Sequence, residues 1–357
     1  YYGTENSNIH LMHKSIYRHM YLWLEMDLDE GVSRGYYGTE NSNIHLMHKS
    51  IYRHIYLWLE IDLDEGVSRG YYGTEIGEIS MIIIGEKLNG TIPSMAKAIA
   101  GRDEEWIKEI ARKEADAGAD FIDVCASVEI GEVETLHWMI DLVQSVTNVP
   151  ICIDSPSTEV LSQAYGFCKR PGMFNSVSME SKKQIDGIFK IMAENPGWEV
   201  IAMLCDDTGI PKSAADRLRV FEAIMEKAKA YGIDPSRIHI DPIIEAAALM
   251  DPDREDGPGI AINTKVIRAI RQAYPTIHIT SAISNISHGL PARKFMNYAF
   301  TALVLEAGLD SGILDPLNEG MLGVIYAAEA LLGLDEDGYC MEYIEAYKDG
   351  LFGKPKK

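Results

Sequence analysis

From Met81 onward the chain alternates between short apolar runs rich in β-branched residues and longer stretches in which apolar residues return every three or four positions. The first pattern reads as strand and the second as amphipathic helix. The strand-like runs are Met81–Gly85, Phe121–Val124, Val149–Ile153, Met173–Val177, Trp198–Leu204, Ile238–Ile240, Thr276–Ala282 and Gly312–Leu314. Helical spacing covers Met95–Gly118, Val133–Val146, Ser213–Tyr231 and Glu319–Leu332. Thr158 is placed to cap a helix after the third run, and Gly118 and Gly333 are placed as C-terminal caps. Tyr339–Leu351 reads as an appended helix before a basic KPKK tail. Because the strand runs are continuously apolar, they suit a parallel sheet covered on both faces. Eight strand–helix units predict an α/β fold, a (β/α)8 barrel of the TIM type.

Before Met81 the pattern is different. Tyr1–Gly35 recurs as Tyr36–Gly70 with only Met20 becoming Ile55 and Met26 becoming Ile61, and YYGTE starts again at Tyr71. Old solenoid repeats drift apart while keeping their pattern, so near identity marks a recent duplication or an added segment. The expected organisation is therefore a tandem-repeat extension over 1–80 and one barrel domain over 81–357, with Met81 as the expected initiator. The latter is 277 residues long, against about 250 for a typical barrel of this kind. Within each repeat Ile9, Met12, Ile16 and Met20 fall at helical spacing. His10 and His13, matched by His45 and His48, would allow a metal ion two ligands, but no carboxylate or cysteine completes a tetrahedral set, and no metal is expected.

Composition narrows the function. Of the formal net charge of −21, the first 80 residues carry −6, since each repeat has five acidic and three basic residues and Tyr71–Ser80 adds two acids. The acidic remainder argues against a surface that tracks nucleic-acid phosphates. No apolar run approaches the ~18 residues of a membrane span, and no signal peptide is evident. The five cysteines are odd in number and lack CxxC spacing, so reduced thiols and a cytoplasmic protein are expected. No GxGxxG follows a strand and no P-loop occurs. The acidic run Asp251–Gly259 has Asp256 where an EF-hand needs glycine, and reads as a solvated loop after the sixth strand.

Candidate chemistry gathers at the ends of the strands. Glu86, Asn89, Asp123, Asp154, Asn175, Asp207, Asp241 and Asn285 all follow or close an apolar run, and none is basic. In a barrel these positions share the carboxyl-end face, where catalytic residues sit. Carboxylates and amides without strand-tip arginines suit a neutral, donor-rich heterocycle better than a phosphate. An aspartate facing an aminopyrimidinone can accept from both the exocyclic amine and the ring N–H. The plainer alternative for any one of these residues is turn formation or helix capping, and for Ser284-Asn285-Ile286-Ser287-His288 it is a turn into the next helix.

Seven motifs sharpen this picture. MIIIGEKLNG at Met81–Gly90, FIDV around Asp123, CIDS at Cys152–Ser155, FNSVS at Phe174–Ser178, TGIPK at Thr208–Lys212, HIDPII at His239–Ile244 and SNISHGLPAR at Ser284–Arg293 resemble the pterin-binding family. They are most similar to its methyltetrahydrofolate:corrinoid protein methyltransferase branch, which is related to the folate domain of cobalamin-dependent methionine synthase. The resemblance spans Met81–Leu332 in order. It implies tetrahydrofolate or 5-methyltetrahydrofolate as substrate, cobalamin supplied by a corrinoid partner protein, and a homodimer. It implies that Asp154, Asn175 and Asp241 hold the pterin ring, that Glu86, Asn89 and Asp123 line the same mouth, and that Ser284 and His288 flank the site. Asn285 would be catalytic, hydrogen-bonding the N5 atom that gains or loses the methyl group. Cys125 stands where the branch carries asparagine, Cys205-Asp206-Asp207 replaces a neutral-to-basic tripeptide, and His288 replaces a glutamine. The direction of transfer stays open, including transfer from methylcobalamin to tetrahydrofolate during degradation of a methylated amine. Two alternatives are a dihydropteroate synthase-like enzyme, whose seventh strand would present a lysine and a later Ser-x-Arg, and a folate-binding or corrinoid-partner protein without turnover.

Overall fold

A computed structural model describes residues 81–128, 130–181, 185–334 and 340–353. The repeat segment, with its helical spacing and its paired histidines, lies outside the described residues. Eight strands form one parallel sheet: β1 Ile82–Asn89, β2 Phe121–Cys125, β3 Ile151–Asp154, β4 Met173–Met179, β5 Glu199–Asp206, β6 Ile238–Asp241, β7 His278–Ile279 and β8 Ser311–Leu314. Their order is β7-β6-β5-β4-β3-β2-β1-β8. Beyond β7, a parallel bridge joins Ala282 to Ile313, and the Ile313 N–H donates to the Ser281 carbonyl at 2.9 Å. The ring is thus nearly closed, as the eight apolar runs predict.

Helices between the strands cover the outside, and local chemistry sets their ends. The stretch expected as one helix over Met95–Gly118 is two, Pro93–Gly101 and Glu104–Asp116. Arg102 adopts a left-handed φ of 51° between them, and the Asp103 carboxylate accepts the Trp106 N–H at 3.2 Å to start the second. An N-cap side chain with that bond begins a new helix even inside a periodic pattern. Ser157, rather than Thr158, caps the helix after β3 by accepting the Val160 N–H. Ser213 caps Ala214–Tyr231, and Gly333 closes Glu319–Leu332, both as expected.

Strand β7 is shorter than its apolar run. The Asp310 carboxylate takes the Ile279 N–H at 2.7 Å, and after Thr280 bonds the Ile240 carbonyl the chain turns toward β8. It then tightens into a 3₁₀ turn over Ile283–Ser287. The seventh unit therefore ends in a compact turn close to β8 and not in a long strand tip.

Two apolar cores result from the alternation of side chains along the strands. The larger packs strands against helices and includes the fully buried Ile107, Ile122, Leu136 and Ile140. The smaller takes Ile84, Phe121, Cys152, Met173 and Ile201, one from each of five consecutive strands, and fills the barrel interior. Below it, at the amino end, the interior is polar. His239 bonds Glu199 at 2.8 Å and Ser311 at 3.0 Å, stacks on His278 with ring centroids 4.7 Å apart, and His278 reaches Asp310 at 3.0 Å. Arg271 closes the set on Asp310 at 2.8 Å. Burial pushes the His239 pKa down, which keeps that ring neutral.

Among the described residues, no helix is long and apolar enough to cross a membrane, and no group of three or more His, Cys, Asp or Glu is placed to hold a metal ion. Among the described residues, Cys125, Cys152, Cys168, Cys205 and Cys340 form no disulfide.

We propose that Met81–Lys357 is a self-sufficient domain, because all eight strands lie inside it. The Met81 N–H donates to Glu329 Oε1 at 2.6 Å, while Glu329 Oε2 is buried without a hydrogen-bond partner among the described residues. In a fragment starting at Met81, an α-ammonium would replace that amide and could satisfy both oxygens. The expected outcome is a soluble fragment that melts cooperatively at or above the temperature of the full chain. An insoluble or non-cooperative fragment in calorimetry would place the repeat inside the folding unit.

Candidate functional site

Register brings the predicted strand-end residues of four strands side by side. Asn89 pairs with Cys125, Cys125 with Asp154, and Asp154 with Asn175, so β1 to β4 present one row at their carboxyl ends. Asp123 lies one step deeper, fully buried, and accepts a hydrogen bond from Asn175 Nδ2 at 3.1 Å. Burial, reinforced by the neighbouring Asp154 charge, holds the Asp123 carboxyl well above the usual range. The same two causes raise the Cys125 thiol, with both Asp154 and Asp123 contributing, so Cys125 stands in the row as a neutral group.

Asp241 closes β6 on the same rim, opposite Met203. Its Oδ1 accepts the Ile243 N–H at 2.7 Å, and burial pushes its pKa up to about 6. The loop behind it is held by Arg217, which is fully buried. Its guanidinium donates to the Pro211, Pro242 and Ile243 carbonyls and meets Glu245 at 3.4 Å. Ile243 has a φ of 58°, which a β-branched residue adopts only when its surroundings enforce it. Arg217 and the Asn263 amide, at 3.2 Å from the same carbonyl, supply that enforcement.

The far side of the rim is acidic. Glu86 follows Gly85 at an irregularity in β1, and Ser284 Oγ donates to Glu86 Oε2 at 3.4 Å. Lys87 turns instead to Asp315 at the end of β8, at 3.0 Å. Burial, then the Asp315 charge, pushes Glu86 up to about 7. Beneath them Glu114 is fully buried, accepts the Lys87 N–H at 2.9 Å, and is raised by burial to about 8. A side chain at Gly85 would collide with it, since a Cβ there would stand 2.6 Å from Glu114 Oε1.

The turn after β7 carries Ser284 and Asn285. Arg293 braces it, with Nη2 donating to the Ser284 carbonyl at 2.7 Å and Nε to Ser287 Oγ at 3.0 Å. Asn285 is exposed, and among the described residues its side-chain amide makes no hydrogen bond. The next helix, Arg293–Ala307, starts after Ala292 without a side-chain cap. Asn285 lies within a turn, as the plainer alternative has it, but does not cap the next helix. His288 is exposed, its backbone N–H bonding the Asn285 carbonyl at 3.1 Å.

Two predicted residues have local partners. Asn89 Oδ1 accepts from both the backbone and hydroxyl of Thr91, at 2.9 and 2.7 Å, so its oxygen shapes a turn. Asp207 is exposed and ties the Ser181 N–H at 2.8 Å, bracing the neighbouring loop. Glu114, Arg217 and Asp315 were absent from the strand-tip set. Glu114 and Arg217 had a signal: each falls on the buried stripe of its helix, with Ile107, Ile110 and Ala111, and with Ala214, Val220 and Phe221. A charge on an apolar stripe is the mark of a buried group with a partner.

The Glu114 burial has a measurable consequence. A carboxyl raised from an ordinary 4.5 to about 8 keeps its proton when folded and loses it when unfolded, so it draws stability down as pH rises from about 4.5 to 8. Glu114→Gln, which cannot ionise, should flatten that slope and raise stability at pH 8.5 by on the order of 2 kcal/mol relative to pH 5.5. Denaturant melts of both proteins at the two pH values check this, and parallel slopes would contradict it.

The rim fits an uncharged, planar, donor-rich ligand, since it supplies acceptors from three sides and its nearest cations are engaged with protein groups. Comparison with known proteins agrees. Residues 85–315 match the pterin binding enzyme family. A methylcorrinoid:tetrahydrofolate methyltransferase of Eubacterium limosum is 44% identical over 277 residues, covering 76% of this chain and 98% of that protein. A methionine synthase of Mycobacterium tuberculosis is 28% identical over 247 residues, which is 66% of this chain but only 20% of the synthase. Among solved structures, a dihydropteroate synthase of Coxiella burnetii has a TM-score of 0.53 at 17% identity, covering 72% of this chain and 94% of its own, a likeness of fold. The chain belongs to the family of pterin-binding enzymes.

Proposed function

We propose that this chain is a methyltransferase that moves a methyl group between N5 of tetrahydrofolate and the cobalt of a corrinoid carried by a partner protein. The observation that carries this reading is the placement of Asn285, an exposed amide with no side-chain hydrogen bond among the described residues, on a braced turn whose Ser284 meets Glu86 of the acidic rim. The close likeness to the Eubacterium limosum protein, over nearly all of its length, supports the same reaction, and its name favours transfer from methylcorrinoid to tetrahydrofolate.

In this reading Asp154, Asn175 and Asp241 accept from and orient the ring, with Asp123 behind Asn175 fixing which way its amide faces. Donors on the ligand would stabilise the ionised form of the raised carboxyls, which matches a ring rich in N–H groups. Asn285 addresses N5: its NH2 can donate to a lone pair, and its oxygen can accept from a protonated nitrogen, so it serves both ends of the reaction coordinate. A dihydropteroate synthase-like reading would need a lysine where this chain places Ser284-Asn285, and the Arg293 guanidinium is taken by the turn.

The direct test mixes purified protein with methylcobalamin and tetrahydrofolate, and separately with cob(I)alamin and methyltetrahydrofolate, and follows the corrin spectrum. Loss of the methylcobalamin band in the first mixture is expected, and folate binding without any spectral change would leave a non-catalytic binder. Asn285→Ala should lower the single-turnover rate roughly tenfold to a thousandfold with little change in folate affinity, because an interaction made mainly in the transition state affects rate more than binding. Equal losses of rate and affinity would make Asn285 structural. Asp154→Asn and Asp241→Asn should each weaken folate binding by about 2 kcal/mol in calorimetric titration, the range for a hydrogen bond to a charged group.

A further inference from the structure

We propose that Glu86 is the proton acceptor for N5, reached directly or through the Ser284 hydroxyl, when a methyl group arrives on tetrahydrofolate. The inference rests on the methyltransferase reading and adds a residue to it. Methylation has a proton to dispose of. The methyl carbon leaves cobalt, the electron pair of that bond stays on the metal and reduces it from Co(III) to Co(I), and the N5 lone pair forms the new C–N bond. N5 then bears both the methyl group and its original hydrogen, and that proton must leave to give neutral methyltetrahydrofolate. The Asn285 amide can hold it but cannot keep it.

The geometry around Glu86 suits that task. Ser284, whose hydroxyl donates to Glu86, is the residue immediately before Asn285, so the group that meets N5 and the route to the carboxylate are adjacent on one turn. Arg293 fixes that turn through the Ser284 carbonyl. The charged groups facing Glu86 come from several elements: Lys87 on its own strand, Asp315 at the end of β8, Arg293 at the start of the following helix, and Glu114 below. Lys87 is drawn off to Asp315, so Glu86 has a neutral hydroxyl as its hydrogen-bond partner and no direct ion pair among the described residues. A carboxylate without a bound cation keeps its affinity for a proton. Its pKa of about 7 matches an acceptor working near neutral pH. In the reverse direction the protonated acid would return the proton to N5.

The test is the pH dependence of single-turnover methyl transfer from methylcobalamin to saturating tetrahydrofolate, with folate affinity measured beside it by calorimetry. The wild-type rate should rise with pH and level off, with a midpoint near 7. Glu86→Gln should lose that limb and fall roughly a hundredfold at pH 8 while binding tetrahydrofolate within a few-fold of wild type. Glu86→Asp should restore part of the rate and the limb, which a purely structural role would not produce. A Glu86→Gln protein that keeps the limb, or that loses folate affinity as much as rate, overturns the assignment and leaves the methyltransferase reading standing. A wild-type protein that binds tetrahydrofolate but never demethylates methylcobalamin overturns both.

Discussion

Removing a carboxyl group from water is costly unless it is paired or protonated, and this barrel removes several at one end. Asp123 and Glu114 are fully buried, and Asp241 and Glu86 are raised by desolvation. The fold tolerates them because neutral donors meet them: the Asn175 amide, the Ile243 and Lys87 N–H groups, and the Ser284 hydroxyl. Such an arrangement leaves acceptor capacity for a ligand with many N–H groups. The amino end uses the opposite solution, closing Glu199, His239, Ser311, His278, Asp310 and Arg271 on one another. One end closes its polar groups on one another, and the other keeps carboxyls raised by burial at the ends of the strands.

The rigidity of the rim comes from groups that do not touch its mouth. Arg217 ties three carbonyls from the loops after β5 and β6 and enforces the left-handed backbone at Ile243 that positions the Asp241 bond. Arg293 does the same for the turn that carries Ser284 and Asn285. Arginine suits both places because its planar fork reaches several carbonyls at once. The backbone that these arginines fix lies in loops and turns after the strands, while the arginines themselves sit on helices.

The barrel and most of its mouth were legible in the chain because strand runs and helical spacing are local signals. Asp154, Asn175 and Asp241 follow those runs directly, and register places Asp154 and Asn175 side by side. What stayed hidden depended on contacts far apart in sequence. The break at Arg102 required a cap at Asp103 that competes with an unbroken periodic pattern, and the shortening of β7 required Asp310 to reach across to Ile279. Asp207 lies one residue beyond the end of β5, whereas Asp154 and Asp241 close their strands, and it binds Ser181, a partner visible only in three dimensions. Glu114 and Arg217 were detectable as charges on apolar stripes, but a stripe does not say what a buried charge meets.

The central claim is that raised carboxyls at the rim are completed by the N–H groups of a pterin. Donors favour the ionised form, so binding should drive a proton off the Asp123 and Asp241 carboxyls, both raised by burial. Calorimetric titration with tetrahydrofolate at pH 7 in two buffers of different ionisation enthalpy measures this linkage directly. Binding accompanied by net proton release is the predicted result, and an absence of binding or a net proton uptake would contradict it.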